Sequence, residues 1–76
     1  MKDILAFLLT NIVDTPEEVT VDESDVDGVT TFTIHVASTD MGKVIGKEGK
    51  IIRSIRNILK VKAMKENKRI YVTLAE

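Results

Sequence analysis

The chain has 76 residues, 43% hydrophobic and 30% charged, with a net charge of −1 and no cysteine. That is room for one domain, residues 1–76, with enough apolar content to fold alone and too little compositional bias for a disordered segment. The lack of cysteine excludes disulfides and thiolate chemistry, and the apolar run Ile4 to Leu9 is too short to span a bilayer or serve as a secretory signal, so a cytoplasmic protein without membrane insertion is expected.

Residues 2–13 place Ile4, Leu5, Leu8, Leu9 and Ile12 at helical spacing, which predicts an amphipathic helix stopped by Pro16. Glu18 to Glu23 alternates, with Val19 and Val21 on one face, and reads as a short strand. Ser24 to Gly28 is turn chemistry. A second strand is expected from about Val29 to Ala37, with Phe32, Ile34 and Val36 inward and Thr31, Thr33 and His35 outward. Ser38 or Thr39 is placed to cap a short helix over Asp40 to Ile45, with Asp40 favourable in its first turn.

The loop Gly46–Gly49 follows, and Lys50 to about Glu66 reads as a longer helix. Its expected apolar face holds Ile51, Ile52, Ile55, Ile58, Leu59 and Ala63, with Arg53, Arg56 and Lys60 opposite and Lys62 intruding on the apolar side. Asn67 suits a left-handed helix cap, and Arg69 to Leu74 alternates as a last strand with Ile70, Val72 and Leu74 inward. The predicted order is αββααβ. It implies an α+β fold in which helices pack on one face of a three-stranded sheet.

The small net charge hides a division. Residues 1–40 carry nine acids and one base, giving −8, whereas residues 41–76 carry ten bases and three acids, giving +7. A basic half of this kind suggests a face that meets a polyanion. The segment Asp40 to Arg53 says where. Gly46 and Gly49, two residues apart, join a short helix to a long one, so the backbone turns sharply and a ligand can approach without meeting a Cβ. The long helix begins at that loop, with unpaired N–H groups and a positive dipole end suited to phosphate. Lys43, Lys47 and Lys50 surround the same spot, and Arg53 lies one turn further on.

Val44-Ile45-Gly46-Lys47-Glu48-Gly49-Lys50-Ile51-Ile52 resembles the signature of the KH domain, and the element order matches its type II form. Over the whole chain, including the run Asp40 to Gly49 and the turn Lys65 to Arg69, the sequence is similar to the KhpA family of small bacterial RNA-binding proteins. The resemblance implies a GxxG loop that clamps about four nucleotides of single-stranded RNA. Gly46 and Gly49 would shape that loop, with Lys47 and Glu48 as its outward pair. Lys43, Lys50 and Arg53 would meet phosphates, and Val44, Ile45 and Ile52 would form part of an apolar floor for bases, although all three also read as plain core residues. It also implies a homodimer, a heterodimer with a larger KH-domain protein, and a role in RNA regulation linked to cell elongation. In type II domains the Asp25 and Asp27 turn is expected to border the groove and weaken binding. Asn67, where the family favours glycine, and Lys62, where it favours a small residue, depart from the pattern.

Rival readings come from two other classes. Gly42-Lys-Val-Ile-Gly46-Lys47 has the look of a phosphate-binding P-loop, but its first glycine is one residue too close and Glu48 stands where a hydroxyl should hold magnesium. No enzyme, cofactor or metal site is therefore expected. The second rival is a KH-fold protein-interaction module with little RNA binding of its own. Arg56 and Lys60 read most simply as a solvated helix face, and His35 and Tyr71 as exposed sheet residues.

Overall fold

In the computed structural model, which describes residues 2–75, the chain forms α1 (Lys2–Thr10), β1 (Thr20–Val26), β2 (Val29–His35), α2 (Met41–Ile45), α3 (Lys50–Lys65) and β3 (Arg69–Leu74). Short 3-10 turns at Pro16–Glu18, Ser38–Asp40 and Lys47–Gly49 link them. The strand order is β1-β2-β3, with β1 antiparallel and β3 parallel to the central β2. A parallel pair needs a crossover. Here α2 and α3 supply it, and the result is the αββααβ arrangement of a type II KH fold, with Leu5 and Leu9 of α1, Val44 of α2 and Ile55, Leu59 and Ala63 of α3 buried in one core with Val21, Phe32, Ile34, Ile70 and Val72 of the sheet. Phe32, on the central strand, is 1% exposed; a fully buried side chain of that size stabilises by roughly 1.5–3 kcal/mol.

The crossover also sets distances. Val29 pairs with both Val26 and Arg69, so the β1–β2 hairpin lies at the end of the sheet where β3 begins. The loop at Gly46–Gly49 sits at the other end of α3, which at 1.5 Å per residue is roughly 24 Å long. Asp25 and Asp27 therefore stand far from the glycine loop, at the end of the sheet where β3 begins. No helix among the described residues is long and apolar enough to cross a membrane.

Several local expectations change. α1 ends at Thr10 rather than residue 13, where Thr10 Oγ1 and Asn11 Nδ2 both donate to the Phe7 carbonyl and compete with the next helical turn. β1 starts at Thr20 and runs through Ser24 and Asp25 to Val26, because the turn needs only Asp27 and Gly28. Their φ values of 51° and 78° are those of a two-residue type I′ hairpin, whose twist suits the flanking strands. On α3, Ile51 and Ile58 are 37% and 50% exposed, since the sheet covers only the stripe of Ile55, Leu59 and Ala63. Lys62 is exposed and lies 3.9 Å from Glu66, one turn on. Asn67 adopts φ 55° as expected, and the N–H groups of Lys68 and Asn67 close on the carbonyls of Ala63 and Met64 in a Schellman cap.

Neither Ser38 nor Thr39 caps α2, and Asp40 serves another purpose. Its carboxylate is 1% exposed and accepts the N–H groups of Asp14 and Thr15 at 3.1 and 3.0 Å. Those donors belong to the connection between α1 and β1, where no ladder can satisfy them. One buried side chain thus fixes the start of the α2–loop–α3 unit to a segment 25 residues earlier.

Candidate nucleic-acid interface

The loop is built from backbone conformations that side chains resist. Gly46 has φ 75° and ψ 176°, a region that is essentially glycine-only. A Cβ there would also stand 2.5 Å from Ile51 Cγ1, so Ile51 packs directly over the glycine. Glu48 (φ 57°, ψ 26°) and Gly49 (φ 73°, ψ 16°) follow in the left-handed region, and the space at Gly49 is open, with Arg53 Nη2 at 3.9 Å the nearest atom. Turn bonds run from Gly49 N–H to the Gly46 carbonyl and from Lys50 N–H to that of Lys47. Arg53 reaches back one turn and donates to the Glu48 carbonyl at 3.1 Å, bracing the left-handed pair. No side chain caps the N-terminus of α3. The Lys47 carbonyl takes the Lys50 N–H, and beyond it a 16-residue helix opens at the loop with no side-chain cap on its first turn, an arrangement suited to an anion.

The cations do not all meet there. Lys47 and Lys50 are exposed at the loop and the first turn of α3. Arg53 is beside them, partly engaged with the loop backbone. Lys43 forms an exposed ion pair with Asp14 of the α1–β1 connection, a weak pairing of the kind a phosphate can displace. Among the apolar residues, Ile45 is 38% exposed and Ile52 is half-buried, whereas Val44 is fully buried and can support a floor only from beneath.

A groove extends the site in a direction the sequence does not announce. β3 is an edge strand, and Arg56, half-buried, donates to the Val72 carbonyl at 3.4 Å. The alternation of strand backbone turns the Val72 N–H to the same open edge. Between α3 and this edge lies a cavity of about 580 Å³ bounded by Arg56 and Lys60 on the helix and by Tyr71, Val72 and Thr73 on the strand.

The chain matches the family described as KhpA/KhpB, KH domain, over residues 2–74. It is 43% identical over 74 residues to the RNA-binding protein KhpA of Clostridium acetobutylicum, covering 97% of this chain and 99% of that one. The chain belongs to the KhpA/KhpB family of KH domains. A second relative, the RNA-binding protein KhpA of Chlamydia pneumoniae, is 40% identical across 100% of this chain and 97% of its own. The crystal structure of Era from Aquifex aeolicus, bound to GDP and aluminium fluoride, superposes with a TM-score of 0.66 over 95% of this chain and 28% of that one. At 17% identity this likeness speaks to the fold alone. The relatives are named as RNA-binding proteins, and membership of their family sets the enzyme reading aside.

Within this KH domain, sequence reasoning misses Asp40, Arg56 and the free edge of β3. Arg56 had a visible signal, its place on the same helix face as Arg53. Nothing in a single sequence says that this face borders an unpaired strand.

Proposed function

We propose that this KH domain holds single-stranded RNA at the loop Gly46–Gly49 and reads bases along the groove between α3 and the open edge of β3. The uncapped start of α3 at a glycine loop flanked by Lys47 and Lys50 carries the reading. The sugar–phosphate backbone would run over Gly46 and Gly49, where no Cβ intervenes, with Lys47, Lys50 and Arg53 beside it. Bases would lie against Ile45 and Ile52 and meet the Val72 N–H and C=O once Arg56 turns from the carbonyl to the base. Few aromatic side chains are available, which suits recognition at the loop by edge hydrogen bonds and shape.

The test is a fluorescence anisotropy titration of an unstructured RNA with the wild type and Lys47→Asp, at matched circular dichroism. The variant reverses one charge at an exposed position and should weaken binding about tenfold or more. About three phosphate contacts on a single strand give a log–log salt slope near about −2. Equal affinity of the two proteins, or affinity indifferent to salt, rules the clamp out. Retained binding would then point to Arg56 and Lys60, and no binding at low salt to a protein-interaction role.

Self-association is the second part of the reading. Ile58, Val61 and Met64 follow each other at steps of three along α3 and are 50%, 56% and 74% exposed, and Phe7 on α1 is 67% exposed. Such a strip suits a second copy or another KH domain with a similar face, and two linked clamps would raise the effective affinity of either. Ile58→Glu should therefore lower the sedimentation-derived mass to that of a monomer while leaving the circular dichroism unchanged. A monomeric wild type would exclude this surface as a homodimer contact.

A further inference from the structure

The groove beside β3 turns a corner. Val72 belongs to the inner face of the sheet and contributes edge backbone, but Tyr71 and Thr73 belong to the outer face, as does Thr31, the register partner of Tyr71. All four line the same cavity together with Arg56 and Lys60. The cavity therefore wraps from the helix side, around the open edge of β3, onto the outer sheet face.

We infer that this corner is a stacking subsite for one further nucleobase, beyond those held at the loop, with Tyr71 as its platform and Lys60 beside its phosphate. The inference rests on the RNA-clamp reading and adds the length of strand bound and a residue outside the glycine loop. Position supports it: Lys60 lies ten residues beyond Lys50, about 15 Å along α3, so it is out of reach of a phosphate at the loop. Size supports it too, since about 580 Å³ falls within the range of small-ligand pockets. The chemistry is that of a nucleotide. The Tyr71 ring is 57% exposed and can stack on any base, two threonine hydroxyls flank it, and two cations border the opposite wall. A purely structural Tyr71 would need only its strand propensity, which threonine shares.

The experiment compares random-sequence RNA pools of four and six nucleotides on wild type, Tyr71→Thr, Tyr71→Phe and Lys47→Asp, with thermal melts to match folding. The chain holds one tyrosine and no tryptophan, so the Tyr71 ring protons are read directly by NMR. The six-nucleotide pool should bind the wild type about tenfold more tightly than the four-nucleotide pool, more than the few-fold gained from extra registers. It should also move the Tyr71 ring signals upfield. Tyr71→Thr should bring the longer pool close to the affinity of the shorter and leave the shorter unchanged, Tyr71→Phe should keep the advantage, and Lys47→Asp should weaken both. If both pools bind, the ring signals stay in place and Tyr71→Thr changes nothing, the stacking subsite is overturned while the clamp stands. If neither pool binds, the clamp falls and the subsite with it.

Discussion

Gly46→Ala is expected to lower the melting temperature by roughly 8–48 °C and to abolish RNA binding at the temperature where the wild type binds. Two costs combine. The backbone of Gly46 occupies a region that costs an L-residue about 1–3 kcal/mol, and the added Cβ meets Ile51 Cγ1 at 2.5 Å. Relief needs Ile51 to move off the glycine or the loop to shift, an overpacking cost of a further ~1–3 kcal/mol. A domain of 76 residues has only about 4–11 kcal/mol of stability in all. Gly49→Ala should be far milder, about 1–2 kcal/mol, because its left-handed φ of 73° is the only obstacle and no atom stands closer than 3.9 Å. Glu48→Gly should run the other way, relieving a left-handed non-glycine at φ 57° for a small net gain, and should strengthen RNA binding by removing a carboxylate. Differential scanning calorimetry of the three variants tests the order. Equal losses at Gly46 and Gly49 would mean that contact with Ile51 plays no part.

Asp40→Ala should cost about 2–4 kcal/mol, although the residue touches neither loop nor groove. Its carboxylate, 1% exposed, is the acceptor for two backbone N–H groups at 3.1 and 3.0 Å, and alanine leaves both donors without a partner. Asp40→Asn should lie between, since its one remaining oxygen can serve only one donor well. Urea denaturation gives the magnitude, and amide exchange at Asp14 and Thr15 gives the location. A loss below about 1 kcal/mol, or unchanged protection at those two amides, would show that water replaces the carboxylate. RNA affinity of the folded fraction should fall as well, because Asp40 fixes the first turn before α2 and hence the angle at which the loop is presented.

Where the pattern is local, the sequence carries it. The parity of Ile70, Val72 and Leu74 places one face of β3 inward, and these residues are buried or half-buried as that alternation requires. Asn67 tolerates a left-handed cap, and it forms one. The glycine pair is legible because only two residues separate Gly46 from Gly49 at the junction of two helices. The expected apolar face of α3 is broader than the one the fold uses. Ile51 and Ile58 satisfy the same helical period as Ile55 and Leu59, yet a sheet of three strands covers only a narrow stripe, and the remaining isoleucines stay exposed.

The acidic turn shows the same limit differently. Ser24 and Asp25 have turn chemistry, but cross-strand pairing with Thr31 and Thr30 extends β1 through them. Thr30 Oγ1 donates to Asp25 across the pair, which a reading by residue type does not anticipate. Lys43 has a neighbour that local sequence does not name. It stands three residues before Gly46, yet Asp14, 29 residues earlier, takes it as an ion-pair partner.

By itself, then, the amino-acid sequence determined the element order, the inward parity of the strands and the glycine loop between two helices. These depend on residues within a few positions of each other, where periodicity and backbone preference act. Tertiary structure alone decided which strand is left open, which side of α3 borders it, and which acidic partners lie near the cations. Those outcomes depend on the parallel pairing of β2 with β3 and on the Asp40 and Asp14 contacts, all of which join residues more than twenty positions apart. No periodicity spans that separation; only packing brings such residues together.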